Sequence, residues 1–243
     1  MTTVVKGGKN VYGQAIGIIM LEARFPRIPG DIGNATTWDF PVVYEIVRGI
    51  SPSMVVRREG FAGLQNFIDA ARNLEADGVR AITTSCGFLA PFQKELSNSV
   101  SIPVFTSSLM QVPLVYPMLK KGQKVGIITI NAEALTEDHL AGAGADRIPT
   151  VIYGMEGYPE FTPTIVGDGE TLNMRHMQDE MIACGRHMLE DHPEVGAIVL
   201  ECTNMPPYAA GLQEATGLPV FDIYTLTTLV YHAVARWEFR GFM

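Results

Sequence analysis

Short, nearly all-apolar runs alternate along the chain with stretches in which apolar residues recur every three or four positions. That rhythm predicts an α/β fold, with parallel sheets covered on both faces by helices. The candidate strands are Tyr12–Leu21, Val79–Ser85, Val104–Ser107, Lys124–Ile130, Arg147–Tyr153, Ala197–Glu201 and Val220–Ile223. Phe61, Leu64, Ile68 and Ala71 recur at helical spacing, with Gly78 as a C-terminal stop. Leu135–Ala143, Thr171–Glu190 and Thr225–Phe239 predict further helices. The segment Glu22–Gly60 breaks the rhythm. It holds Pro26, Pro29, Pro41 and Pro52 among many turn residues, and reads as a long irregular excursion serving as a lid or an oligomer contact. Its aromatic residues Phe25, Trp38 and Phe40 disfavour disorder.

The chain also repeats itself. Slid by 116 residues without gaps, Val79–Phe105 aligns with Val195–Phe221. Identities fall at Val79/Val195, Ala81/Ala197, Ile82/Ile198, Cys86/Cys202, Pro91/Pro207, Leu96/Leu212, Pro103/Pro219, Val104/Val220 and Phe105/Phe221. Each copy reads as a buried strand ending at a cysteine, then a helical turn, then a short strand after proline. Ligands of open parallel sheets bind beyond the carboxyl ends of the strands. Two copies related by a pseudo-twofold axis would therefore place Cys86 and Cys202 on opposite sides of one cleft. The plainer alternative is a pair of inherited core residues, because a free cysteine is commonly a small buried hydrophobe. Thr83, Thr84 and Ser85 before Cys86, and Thr203 and Asn204 after Cys202, weigh toward chemistry. Polar groups clustered at the end of an apolar strand cost desolvation unless they bind something. Thr203 and Asn204 are also good helix caps.

Composition narrows the function. The chain has 243 residues, 47% of them hydrophobic, and a net charge of −8, which argues against nucleic acid as a partner. No apolar run is long enough to span a membrane, and Met1–Gly8 is not followed by an apolar run of the signal-peptide kind; a cytoplasmic protein is expected. Three cysteines, an odd number, favour free thiols over structural disulfides. Cys184 reads as core, and His139, His176, His187 and His192 read mostly as surface. No His/Cys spacing suggests zinc. Arg24 and Arg27, in the irregular excursion, could reach a substrate carboxylate bidentately, or could be solvated or at a dimer contact.

Thr84-Ser-Cys-Gly87 and Glu201-Cys-Thr-Asn204, each after an apolar strand, resemble the half-sites of the aspartate/glutamate racemase superfamily. That group includes hydantoin racemases, maleate isomerases and arylmalonate decarboxylases. The resemblance covers nearly the whole chain, but Gly87 and Phe88 stand where many amino-acid racemases have Asn-Thr. It implies two pseudo-symmetric α/β lobes with a cleft between them, no cofactor, and a homodimer or higher homo-oligomer. Lobe one is expected from residues 1–107 plus 218–243, and lobe two from 108–217.

The resemblance also implies a reaction. Inverting a carbon next to a carboxylate needs a proton removed from one face and delivered to the other, and two thiols on opposite sides can do both. A helix N-terminus lowers a thiol pKa, so one of Cys86 and Cys202 is expected as base and the other as acid. Thr84, Ser85, Thr203, Asn204 and Arg24 are expected to hold the substrate carboxylate, with Gly87 permitting close backbone approach. The expected activity is a cofactor-independent racemase or epimerase acting on an amino acid or related small carboxylate. The alternatives are a maleate-type isomerase with a covalent cysteine adduct, an arylmalonate-type decarboxylase, and a two-lobed binding protein without turnover.

Overall fold

The computed structural model describes residues 4–57 and 63–243; Phe61, counted above in a helical pattern, lies outside them. The apolar runs form two four-stranded sheets in which every pairing is parallel. The first contains β1 (Ile16–Leu21), β2 (Val42–Val47), β3 (Ala81–Thr84) and β4 (Val104–Phe105), in the order β2-β1-β3-β4. The second contains β5 (Lys124–Thr129), β6 (Thr150–Gly154), β7 (Val195–Leu200) and β8 (Val220–Phe221), in the order β6-β5-β7-β8. The helices are α1 (Pro52–Arg57), α2 (Leu64–Asp77), α3 (Gln93–Asn98), α4 (Val112–Val115), α5 (Glu137–Gly142), α6 (Phe161–Ile165), α7 (Met174–Asp191), α8 (Ala209–Thr216) and α9 (Ile223–Val234).

Strand β1 shows why these runs lack polar positions. Successive side chains of a strand point to opposite faces. Ile19 and Leu21 enter the large core, whereas Ile16, Ile18 and Met20 enter a second core with Trp38 and Phe40. Both faces are covered, so both must be apolar. Helix α2 ends where the sequence places its stop, with Gly78 in the left-handed region at φ 101°.

The repeat appears as an identical ladder. Ile82 pairs with Val104 in the first sheet, and Ile198 pairs with Val220 in the second, each residue shifted by 116. Strands β1 and β5 are also equivalent, but at a shift of 109: Ile16 lies opposite Ala81, and Val125 opposite Ala197.

Two sequence boundaries move. Residues 218–221 were expected in lobe one, yet Val220 and Phe221 are held by β7 in the second sheet. The chain crosses back at Asp222, which caps α9, and Ile223 and Leu226 then pack with Ile16 and Phe105 of the first lobe. Helix α9 stops at Val234, short of Phe239. The excursion Glu22–Gly60 is also more regular than its prolines suggest. It contains β2 and α1, and Pro41 stands just before the strand, where no ladder donor is required.

Candidate active site

Cys86 and Cys202 each follow the third strand of their sheet, at its carboxyl end. The residues before them are fixed alike. Ser85 N–H donates to Ile19 O at 2.8 Å, and Glu201 N–H donates to Ile128 O at 2.8 Å. After each cysteine the chain turns so that the backbone N–H two residues on reaches the sulfur: Phe88 for Cys86 and Asn204 for Cys202. The two half-sites are tied directly, since Thr203 Oγ1 donates to Ser85 O at 2.6 Å.

Both thiols line one enclosed cavity. The excursion supplies part of its wall through Phe25, Arg27, Pro52 and Val56, and the second lobe supplies Ile130, Ile165 and Val166. Its free space is about 20 Å³, room for a single water. A larger hollow between Lys9, Arg80 and Arg236 lies away from both thiols.

The expected site residues divide by where their side chains are committed. Ser85, Gly87, Thr203 and Asn204 line the cavity. Thr84 does not; its hydroxyl donates to the carbonyls of Thr106 and Cys86, at 2.8 and 3.0 Å. Ser85 Oγ accepts the Leu21 N–H at 2.9 Å. Asn204 Nδ2 donates to Asp31 Oδ2 at 2.6 Å, while its Oδ1 faces the Cys202 thiol at 3.4 Å. The side chains of Thr203 and Asn204 thus tie the second half-site to the first lobe, and that of Thr84 braces the first half-site from within.

Arg24 is not brought to the cavity. Its side chain is 70% exposed and pairs with Asp168 and Glu170. Arg27 takes the inward place instead, 15% exposed, with Nη1 at 2.8 Å from Asp31 Oδ1 and its guanidinium over the Phe25 ring. The two differ because Asp168 and Glu170 draw Arg24 outward, while Asp31, itself buried, anchors Arg27 beside Asn204. Gly87 is needed for a reason other than substrate access: a Cβ there would come within 2.6 Å of the Glu201 carbonyl and would strike its carboxyl group. His139, read as surface, is 1% exposed. Its Nδ1 accepts the Thr136 N–H in a capping box, and its ring packs edge-on against Phe88. Cys184 is core.

The electrostatics depart from expectation. Burial and the neighbouring Glu201 carboxyl push the Cys86 thiol up to about 12, against the weaker pull of the Phe88 N–H and Arg27. Burial and Glu201 likewise hold Cys202 well above the ordinary thiol range. Desolvation therefore outweighs the donors at the turn and favours the neutral form of both thiols. Glu201 itself is pushed up to about 7 by burial, opposed by hydrogen bonds from Thr129 and Ile130. This carboxyl at the end of β7 received no role in the sequence reading, though a Glu terminating the run Val-Gly-Ala-Ile-Val-Leu is its signal.

The sequence profile of the Asp/Glu/Hydantoin racemase family matches residues 68–228, about two-thirds of the chain and both half-sites. The chain belongs to that family. Among solved structures, an arylmalonate decarboxylase variant superposes with a TM-score of 0.60 at 16% identity, covering 93% of this chain and 96% of its own. The aspartate racemase of Picrophilus torridus gives 0.59 at 14% identity, covering 94% and 96%. At such identities the likeness concerns the racemase-family fold. Sequence relatives are more specific. A protein of Durusdinium sp. clade D named dimethylsulfoniopropionate lyase is 30% identical over 220 residues, 88% of this chain and 72% of that one. Dimethylsulfoniopropionate lyase 7 of Emiliania huxleyi is 30% identical over 221 residues, 87% of this chain and 64% of that one. The family is enzymatic, and the relatives named dimethylsulfoniopropionate lyases fit neither simple racemisation nor the other isomerase and decarboxylase expectations. No helix among the described residues is long and apolar enough to cross a membrane.

Proposed function

We propose that this protein removes the proton α to the carboxylate of a small substrate with the Cys86/Cys202 pair and then expels a leaving group from the β-carbon. The observation that carries this reading is the convergence of two symmetry-equivalent thiols, each with a backbone N–H on its sulfur, in one enclosed cavity. The similarity to proteins named dimethylsulfoniopropionate lyases supports elimination as the outcome.

The chemistry balances without a cofactor. A thiolate takes a proton from C2 of 3-(dimethylsulfonio)propionate, and negative charge spreads onto the carboxylate. The C3–S bond then breaks with its electron pair going to sulfur. Neutral dimethyl sulfide and acrylate are released, and the proton passes from the thiol to solvent. Arg27 and the backbone N–H groups of the two turns are the donors suited to the carboxylate. Because burial favours the neutral form of both thiols, substrate binding has to help the thiolate form. Positive charge beside it, from Arg27 and from the substrate, offsets the desolvation that keeps the thiols protonated.

Inversion of an amino acid or related carboxylate is the second reading. One base suffices for elimination, so the presence of a second thiol at the equivalent position favours it. A single experiment separates the two. The protein is incubated in deuterated water with dimethylsulfoniopropionate and with a panel of amino acids and hydantoins. Dimethyl sulfide and acrylate are the expected products. Deuterium at the α-carbon with inversion, and no dimethyl sulfide, would establish the racemase instead.

A further inference from the structure

Glu201 and Ser85 occupy equivalent positions, one residue before each cysteine and 116 apart. Their surroundings match. Leu21 N–H donates to Ser85 Oγ, and its counterpart Ile130 N–H donates to the Glu201 carboxyl. Where one half uses a hydroxyl the other uses a longer, ionisable group. Glu201 Oε2 accepts the Thr129 hydroxyl at 2.7 Å, and Oε1 lies over Gly87, the position where a Cβ would collide with it. The residue is 1% exposed and borders the cavity that holds both thiols. Among the described residues no Lys, Arg or His forms an ion pair with it. Arg27, the guanidinium on this cavity, is bound to Asp31. A carboxylate buried without a cation is costly, which favours its acid form and raises its pKa to about 7, and a cation brought in by a ligand would supply the missing counter-charge.

We propose that Glu201 is a specificity-determining residue that selects substrates carrying a positive charge at the β-carbon, pairing its carboxylate with that cation inside the cavity. The proposal rests on the reading that the substrate is a carboxylate with an onium group. A zwitterion then meets two charged groups, Arg27 at its carboxylate and Glu201 at its cation. Departure of neutral dimethyl sulfide removes the counter-charge, and burial again raises the proton affinity of the carboxyl. The other titratable or charged groups about the cavity are Cys86, Cys202, Arg27 and Asp31, with His139 behind Phe88.

The test compares two non-reacting ligands of the same shape, 3-(dimethylammonio)propionate and the uncharged-tail 4-methylpentanoate, by calorimetry or by inhibition. The wild-type protein at pH 8 is expected to bind the ammonium compound at least tenfold more tightly. That preference should shrink severalfold at pH 6, where Glu201 holds its proton, and should vanish at both pH values in Glu201→Gln. Equal affinities in the wild type, a preference independent of pH, or a preference retained in Glu201→Gln would each overturn the proposal. The wild-type pH comparison stands even if the variant does not fold. Release of dimethyl sulfide is followed in parallel. Its absence with the preference intact counts against the lyase reading alone, and its presence without the preference counts against Glu201 alone.

Discussion

Replacing Glu201 with Gln tests the electrostatics of the site through stability rather than turnover. The carboxyl is fully buried and its pKa is raised from 4.5 to about 7, chiefly by desolvation. In the unfolded chain it releases its proton near 4.5; in the folded protein it keeps it to about 7. Between those values the folded state binds more protons, so this group makes stability fall as pH rises through the window. The gap corresponds to about 3 kcal/mol, present at acid pH and lost by pH 8. Glutamine has the shape and neutrality of the protonated acid and does not titrate. Urea unfolding of both proteins at pH 4.5 and pH 8 reads the difference, with the variant cancelling every other titrating group. Glu201→Gln should gain about 3 kcal/mol on the wild type between the two pH values. A gap between the two proteins that stays constant with pH would refute the account of a buried, uncompensated carboxyl.

Other substitutions probe the geometry. Gly87→Ala forces a Cβ against the Glu201 carbonyl and should cost about 2 kcal/mol of stability, with loss of turnover, measured by thermal unfolding and product release. Thr203→Val removes the bond to Ser85 O that ties the two half-sites and should cost about 1 kcal/mol, read by urea unfolding. Arg27→Ala should raise KM roughly tenfold or more through loss of a charged hydrogen-bond donor, as read from steady-state kinetics. Arg24→Ala should leave both KM and kcat nearly unchanged, because its ion pairs lie at the exposed surface.

The legible parts of the fold were those that recur. The gapless repeat located β3, β4, β7 and β8 together with both cysteines, because no insertion separates the strand, the turn and the second strand in either copy. The equivalence of β1 with β5 was hidden, since the chain between first and third strands differs in length and shifts the offset to 109. Strand β2 was hidden among prolines, and as an edge strand of intermediate burial it has no continuous core pattern. In the site, Arg24 and Arg27 are three residues apart in one loop; Asp168 and Glu170, from a distant segment, draw Arg24 outward, while Asp31, four residues on, holds Arg27 inward. The neutrality of the thiols was equally out of reach. A turn N–H is visible as sequence position, whereas the desolvation that overrides it depends on Phe25, Ile165 and Glu201 arriving from three distant segments. His139 looked exposed among charged neighbours because its burial comes from Phe88, far away in sequence.

The central claim is that both thiols move protons on the substrate. Its most direct measurement is the rate of dimethyl sulfide release by the wild type, Cys86→Ser and Cys202→Ser, each first shown to unfold cooperatively. A serine hydroxyl in the same place is a far weaker acid, so the variant lacking the base should fall by at least about a hundredfold, and loss of the partner thiol should also slow release. Release within a few-fold of wild type in either variant would contradict the account.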